Sequence, residues 1–349
     1  MVNRSVVLRA RPTDVPQLED FDMADGEVPE PGPGEFLVRN LYLGVEAGMR
    51  TRLNEEVSYI PPIGIGEPLE SPTLSRVVRS ENPEFNEGDL LVGMAPWSEY
   101  AVLSEQTMLL ERVHPEEGTP LSYYIGALGS SGMTAYVGIH AVGDLQPGET
   151  VVVSAAAGAV GSVAGQIARI RGCRVVGLVG SADKAALLTE RLGFDTAINY
   201  REAPDLAQAV NEACPDGVDV FFDNVGGATL DAMLTCMKPR VMPSDRRARV
   251  ACCGMVAGYN KDERLPILNM WEVVARQIRV EGFLVWTYPD LQAQARVDLE
   301  SWYRSGDLVV LENVSQGLDE AAGALCRLMS GATTGKTLVS LDNGEAAPN

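Results

Sequence analysis

Val151-Val152-Val153-Ser154-Ala155-Ala156-Ala157-Gly158-Ala159-Val160-Gly161-Ser162-Val163 joins a β-branched run, a turn of small residues and the start of an alanine-rich segment of helical period. A strand that turns at once into a helix fits the dinucleotide-binding fingerprint, here with Ala156 in place of the first glycine. Gly158 lets the backbone approach a pyrophosphate, and Gly161 lets the helix pack on the strand. The helix N-terminus, Ala159 to Ser162, then offers unpaired N–H groups and the positive end of its dipole. The plainer reading is an ordinary glycine-rich turn. It loses weight because a second apolar strand follows about 20 residues on, as a βαβ unit requires.

Working outward, strands are expected at Thr150 to Ser154, Arg174 to Val179, Thr196 to Asn199, Val218 to Asp223, Arg249 to Cys253 and Arg279 to Val285. Helical periods lie between them at Val160 to Arg171, Ala182 to Leu192 and Ala203 to Ala213, which predicts a doubly wound parallel sheet with helices on both faces, an α/β fold. Upstream, Pro- and Gly-rich sequence carries short alternating runs such as Glu35-Phe36-Leu37-Val38-Arg39 and Tyr100-Ala101-Val102-Leu103. This half reads as β-rich. After Leu299 only a helix (Asp319 to Ser330) and a strand (Thr337 to Leu341) are expected, too little for a third domain. The division is therefore 1–122 completed by 300–349, and 123–299, with Asn343 to Asn349 expected to fray.

The 349 residues carry 28 Lys and Arg against 48 Asp and Glu, a formal charge of −20. That charge repels phosphate backbones and anionic lipid, so neither nucleic acid nor membrane is an expected partner. Arg4, Arg9 and Arg11 break any apolar run near the start, and the six cysteines form no CxxC pair. A cytoplasmic protein with reduced thiols is expected.

The second strand ends at Val179-Gly180-Ser181, where an NAD-binding sheet would carry an acid for the ribose hydroxyls. Gly180 stands there instead, followed by Ser181 and by Lys184, one of only four lysines in the chain. A hydroxyl and a cation suit a 2′-phosphate and point to NADP(H). Tyr200 and Asn224 follow the ends of the next strands, on the side where such sheets bind ligands.

The strings Ala155 to Ser162, Gly177-Leu178-Val179-Gly180-Ser181-Ala182-Asp183-Lys184, Leu192-Gly193-Phe194-Asp195, Asn199-Tyr200 and Phe222-Asp223-Asn224-Val225-Gly226-Gly227 closely resemble one family. It is the zinc-independent medium-chain dehydrogenase/reductases of the prostaglandin reductase, leukotriene hydroxydehydrogenase and alkenal/one oxidoreductase type. The likeness extends to Leu41 to Arg50 and to Cys253-Gly254-Met255-Val256-Ala257-Gly258-Tyr259-Asn260. It implies a GroES-like substrate domain and a Rossmann cofactor domain in a homodimer, with NADPH reducing a double bond conjugated to a carbonyl. By motif it places Ala159 to Ser162 at the pyrophosphate, Lys184 and Tyr200 at the 2′-phosphate ribose and Asn224 in the ribose region, with Cys253 and Gly254 also among the cofactor-binding positions. Thr134 falls near the carboxamide, and Phe283, Leu284 and Val285 at the nicotinamide. Where the family has Asp-Pro-Tyr-Met-Arg this chain has Glu46-Ala47-Gly48-Met49-Arg50, so Gly48 removes an aromatic wall of the expected substrate pocket. Where it has Gly-x-Asn-x-Gly-Lys, Thr333 offers at best a hydroxyl. Pro239 to Ala248 is an insertion, read as a solvated loop or as an anion-binding lip formed by Arg240, Arg246 and Arg247.

No cysteine lies in the first 172 residues, and the only histidines are His114 and His140, so the ligands of an alcohol-activating zinc are missing. Hydride transfer without a metal suits an acceptor that is already electrophilic, such as the β-carbon of an enal or enone. Its developing enolate oxygen needs a donor, and Tyr259 is the candidate catalytic residue. Met49, Trp97, Met133, Trp286 and Tyr288 are candidates for an apolar pocket, with core packing as the plainer reading of each. Three readings stay open at this stage. They are reduction of a conjugated double bond, reductive cyclisation of a polyunsaturated intermediate, and a zeta-crystallin-like NADPH-binding protein without catalysis.

Overall fold

The structure, a computed structural model, describes residues 2–56, 58–242, 246–260 and 265–341. Asn343 to Asn349, expected to fray, and residues 243–245 of the insertion lie outside the described residues. Along the chain come β1 (Val2–Leu8), β2 (Phe21–Glu27), β3 (Glu35–Val45), the short α1 (Met49–Arg52), β4 (Glu70–Ser80), β5 (Leu90–Pro96), β6 (Tyr100–Ser104) and β7 (Glu111–Val113). Then follow α2 (Ser130–Val137), β8 (Thr150–Val153), α3 (Ala159–Ile170), β9 (Arg174–Val179), α4 (Ala182–Glu190), β10 (Thr196–Asn199) and α5 (Leu206–Ala213). The second half continues with β11 (Val220–Asp223), α6 (Gly227–Cys236), β12 (Arg249–Cys252), α7 (Val256–Tyr259), α8 (Trp271–Ala275), β13 (Arg279–Gly282) and α9 (Pro289–Ser305). β14 (Glu312–Gln316), α10 (Ala321–Met329) and β15 (Lys336–Ser340) close the chain.

Two compact units result, residues 1–126 with 312–349, and residues 127–311. The first holds a seven-stranded sheet of order β14-β15-β3-β4-β5-β7, with β6 also paired to β3. Period-two alternation along β3 buries Phe36 and Val38 with Val77, Leu91, Ala101 and Leu103, and register sets Phe36 opposite Leu103 and Val38 opposite Ala101. Asn40 is buried in the same strand, and it is satisfied. Its amide donates to the Ser98 carbonyl at 2.8 Å, and its oxygen accepts from the Ser75 hydroxyl at 2.7 Å.

The second unit is a six-stranded parallel sheet of order β10-β9-β8-β11-β12-β13. β8 stands at its centre, and Val151, Val152 and Val153 are fully buried because both sheet faces are covered. The order reverses between β8 and β11, so the crevice beyond their C-terminal ends is the topological switch point.

Two boundaries differ from the expected ones, and each has a local cause. Residues 123–126 stay with the first unit because Gly126 lies against Lys336, whose Cγ would be 3.4 Å from a Cβ there. Residues 300–311 stay with the second unit because α9 packs on α2, with the Tyr136 hydroxyl donating to Asp298 at 2.7 Å. The fully buried Gln166 of α3 then exchanges two hydrogen bonds with the Val309 backbone, at 2.8 and 3.0 Å. Other elements shift by a few residues: the helix expected from Ala203 begins at Leu206, and the strand expected to reach Val285 ends at Gly282.

Candidate functional site

The turn from β8 into α3 is shaped by close packing. Ala155 takes a left-handed φ of 47°, and Gly158 follows as an extended residue that begins α3 without a side-chain cap. A Cβ on Gly161 would stand 2.4 Å from the Ala155 carbonyl oxygen, closer than any neighbour permits, so only glycine lets α3 lie this near the turn. Gly165, one turn on, rests on the Phe194 ring in the same way. The outcome is an uncapped N-terminus of a 12-residue helix at the switch point, with Ala159, Val160 and Ser162 in its first turn. Such an end can hold an anion such as a pyrophosphate.

Across the switch point the end of β11 is tied to the end of β8. The Ser154 hydroxyl donates to Asp223 Oδ1 at 2.9 Å, and the Asn224 backbone N–H donates to Ser154 Oγ at 2.8 Å. Asn224 Nδ2 donates to the Ser154 carbonyl at 2.7 Å, while Val225 and Gly226 N–H groups close on the Asp223 carboxylate at 2.9 and 3.1 Å. Asp223 is almost wholly buried, and burial pushes its carboxyl up despite these bonds. Its carbonyl also accepts from the Cys253 and Gly254 N–H groups, at 2.8 and 3.1 Å.

Tyr259 ends the short α7, and its hydroxyl turns back over that loop. The oxygen accepts the Met255 N–H at 3.2 Å and stands 3.3 Å from where a Cβ of Gly254 would be, as does the Asn224 carbonyl. With its oxygen held by an N–H, the phenol retains its proton to donate. Burial raises its pKa above the ordinary 10, which keeps it protonated.

At the other half of the sheet, Ser181 caps α4 by accepting the Lys184 N–H at 3.3 Å. A Cβ on Gly180 would meet the Tyr200 hydroxyl at 2.9 Å and Arg201 Nε at 3.3 Å, so Gly180, Tyr200 and Arg201 share one corner. Burial lowers the Lys184 pKa, and the charge of Arg201 lowers it further. The structure therefore brings Ser181, Lys184 and Tyr200 to one strand end and Asn224, Cys253, Gly254 and Tyr259 to another. It adds three groups passed over in the sequence: Ser154, Asp223 and Arg201. An acid followed by two glycines marks Asp223 as a loop former, but nothing in the sequence tells where Arg201 folds back.

The remaining candidates divide. Thr134 lies in α2 with its hydroxyl bonded to the Ser130 carbonyl at 2.8 Å, beside the buried Met133. Phe283 is buried edge-on against Phe222 at 6.3 Å, over Gly138, so its ring is core. Leu284 and Val285 follow it half-buried, as do Trp286 and Tyr288, whose hydroxyl lies 3.4 Å from Glu281. Gly48, Met49, Trp97 and Thr333 belong to the first unit. Trp97 is fully buried there with its indole N–H on the Ser71 hydroxyl at 2.7 Å, so it is a core residue and not the pocket wall expected. The wall expected to be lost at Gly48 is partly refilled, because the Tyr59 hydroxyl stands 3.0 Å from where a Cβ would be. Met49 and Thr333 are buried.

Of the two readings of the insertion, its described part favours the solvated loop over the anion-binding lip. Arg246 pairs with Glu149 at 2.9 Å and Asp144 at 3.5 Å, and Arg240 reaches Gln277 at 3.0 Å. His140 stacks on Tyr136 at 4.0 Å, with Nδ1 on the Tyr136 carbonyl at 3.0 Å. Among the described residues no three His, Cys, Asp or Glu side chains stand together as a metal site, and no helix is long and apolar enough to cross a membrane.

Comparison with known proteins adds the following. A family profile described as the N-terminal domain of oxidoreductase matches residues 4–110, and one described as zinc-binding dehydrogenase matches 159–297. The chain is 40% identical over 342 residues to the NADP(+)-dependent 2-alkenal reductase of Nicotiana tabacum, covering 97% of each. It is 36% identical to the NADPH-dependent curcumin reductase of Escherichia coli, covering 97% of this chain and 96% of that one. The crystal structure of CurA in complex with NADPH from Vibrio vulnificus superposes with a TM-score of 0.89 at 32% identity, covering 97% of this chain and 99% of the other.

Proposed function

The chain belongs to the medium-chain dehydrogenase/reductase family, in its alkenal and enone reductase branch, and from that premise we propose that it reduces carbon–carbon double bonds conjugated to a carbonyl, with NADPH as its reductant. The observation that carries the reading is the Tyr259 phenol, held over Gly254 by the Met255 N–H with its own proton left to give. Bound NADPH supplies the hydride. The residues that would hold it are those of the α3 N-terminus for the pyrophosphate, Lys184 with Ser181 and Tyr200 for the 2′-phosphate ribose, and Asn224 with the 253–254 backbone for the second ribose. The fit rests on geometry: Gly161 lets α3 close on the turn, and over Gly180, where an NAD-binding sheet carries an acid, the Tyr200 hydroxyl and Arg201 Nε stand instead.

The chemistry asks little more of the protein. The β-carbon of an enal or enone is already electrophilic, and Tyr259 donates to the oxygen as enolate charge develops. The α-carbon then takes a proton from solvent. We also propose that no zinc takes part: His114 and His140 are the only histidines, and no cysteine precedes Cys173. Consumption of NADPH by a panel of enals and enones, set against saturated aldehydes, tests the activity. Turnover of the saturated aldehydes at equal rates would overturn it.

The homodimer belongs to the same proposal. β13 is the outer strand of its sheet and Val280 is exposed on it, and in the segment that leads into it Leu268 (80% exposed), Trp271 (71%) and Val274 are exposed too. An open sheet edge with exposed apolar side chains is covered best by a second copy paired edge to edge. Light scattering of the wild type and of Val280→Lys tests it, the variant being expected to run as a monomer. All six cysteines are unbridged thiols, which supports a cytoplasmic location.

A further inference from the structure

The turn after β10 carries a cation that the family reading does not use. Tyr200 N–H continues the sheet by donating to the Val179 carbonyl at 3.0 Å. Arg201 N–H then donates to the Asn199 side chain at 3.2 Å, and the N–H groups of Glu202 and Ala203 close on the Asn199 carbonyl at 3.1 and 3.2 Å. That fixed turn swings the Arg201 side chain back across the end of β9. Its Nε lies 3.3 Å from where a Cβ of Gly180 would be, beside the Tyr200 hydroxyl. The charge reaches Lys184 in the first turn of α4.

Two cations gathered at one corner make it a favourable place for an anion. The site is open to one, since Tyr200 is 43% exposed and Arg201 is exposed. With no side chain at Gly180, the Tyr200 hydroxyl and the Arg201 Nε come together over it. We infer that Arg201 is a second, specificity-determining cation for the 2′-phosphate of the cofactor, acting with Lys184 across Gly180. A guanidinium matches phosphate oxygens with a planar pair of N–H groups, whereas the lysine ammonium acts as a point charge. This inference rests on the reading of the protein as NADPH-dependent, and the experiment separates the two.

Wild type, Arg201→Gln, Arg201→Lys and Lys184→Ala are titrated calorimetrically with NADPH, NADH and 2′,5′-ADP, and the thermal midpoint is followed with and without each. For Arg201→Gln, NADPH and 2′,5′-ADP binding should weaken about tenfold, as for loss of one part-exposed charge-assisted contact, with NADH binding unchanged. Arg201→Lys should recover part of the loss. Without ligand the Gln variant should melt close to wild type, because Arg201 is exposed. If Lys184→Ala loses NADPH selectively and Arg201→Gln does not, the inference on Arg201 fails while the NADPH reading stands. Equal weakening of NADPH and NADH in Arg201→Gln also overturns it. If the wild type itself does not prefer NADPH, the reading and the inference fall together.

Discussion

The Ser154 hydroxyl donates to the buried Asp223 carboxylate at 2.9 Å and so locks the end of β8 to the end of β11. The same carboxylate gathers the Val225 and Gly226 N–H groups. Asp223→Ala strands these three donors, each costing about 1–3 kcal/mol if left buried and unpaired, so we expect a loss of about 3 kcal/mol or more in urea unfolding. Asp223→Asn keeps an acceptor and removes a charge that burial disfavours, so it should lose much less. In both variants NADPH and NADH binding should weaken alike, because the loop and not the 2′-phosphate is disturbed. A loss confined to NADPH would contradict this.

Gly161 gives a second test through packing alone. In Gly161→Val the new carbons fall on the backbone of Ala155, which has no room to yield, so α3 must move away from the turn. Overpacking of this kind costs about 1–3 kcal/mol. Both dinucleotides should bind at least tenfold more weakly by titration, again without discrimination.

Glu149 and Arg249 make the pH dependence of stability legible. Burial alone would raise the Glu149 carboxyl, but hydrogen bonds from Arg249 and the Gln146 N–H, with the charges of Arg249 and Arg246, outweigh it and hold the pKa below the ordinary 4.5. A depressed folded pKa contributes stability that is present above the unfolded value and lost as pH falls through the folded one. Glu149→Gln leaves the buried Arg249 with its bonds to backbone carbonyls but without a carboxylate, and should cost about 3 kcal/mol at pH 7. The gap to wild type should narrow below about pH 4.5. A gap that stays constant with pH would remove the ion pair from the account.

Tyr259→Phe should lower kcat while leaving NADPH affinity unchanged. The loss should fall short of the roughly 100- to 1000-fold of a full oxyanion donor, since a ribose hydroxyl of the cofactor remains as a partner. Because burial raises the phenol, the alkaline fall in rate should come above pH 10 in the wild type and be absent in the Phe variant. An unaltered kcat in Tyr259→Phe would remove the residue from the mechanism.

What could be read from the sequence follows from where each signal resides. Arg174–Val179 and Thr196–Asn199 begin and end where expected, because an apolar β-branched run bounded by Gly, Asp and Tyr carries its own limits. α9 was missed: of Pro289–Ser305 only Ala295 and Leu299 are buried, too few to mark a period. β14, Glu-Asn-Val-Ser-Gln, has no strand signal of its own and exists by pairing with β15. The site divides in the same way. Gly161 and Lys184 are local signals and were found, whereas Asp223 and Arg201 acquire their places only through contacts with Ser154, 69 residues away, and with Gly180. Trp97 looked like a pocket wall because an indole suits one equally well, and only its bond to Ser71 assigns it to the core.

The central claim is the site of hydride addition. NADPH carrying deuterium at C4, tried with each of its two faces labelled, is incubated with an enone that the protein turns over, and the product is read by NMR. One label should appear on the β-carbon of a saturated ketone, with the α-hydrogen drawn from solvent. Deuterium on the carbonyl carbon of an allylic alcohol would contradict the account.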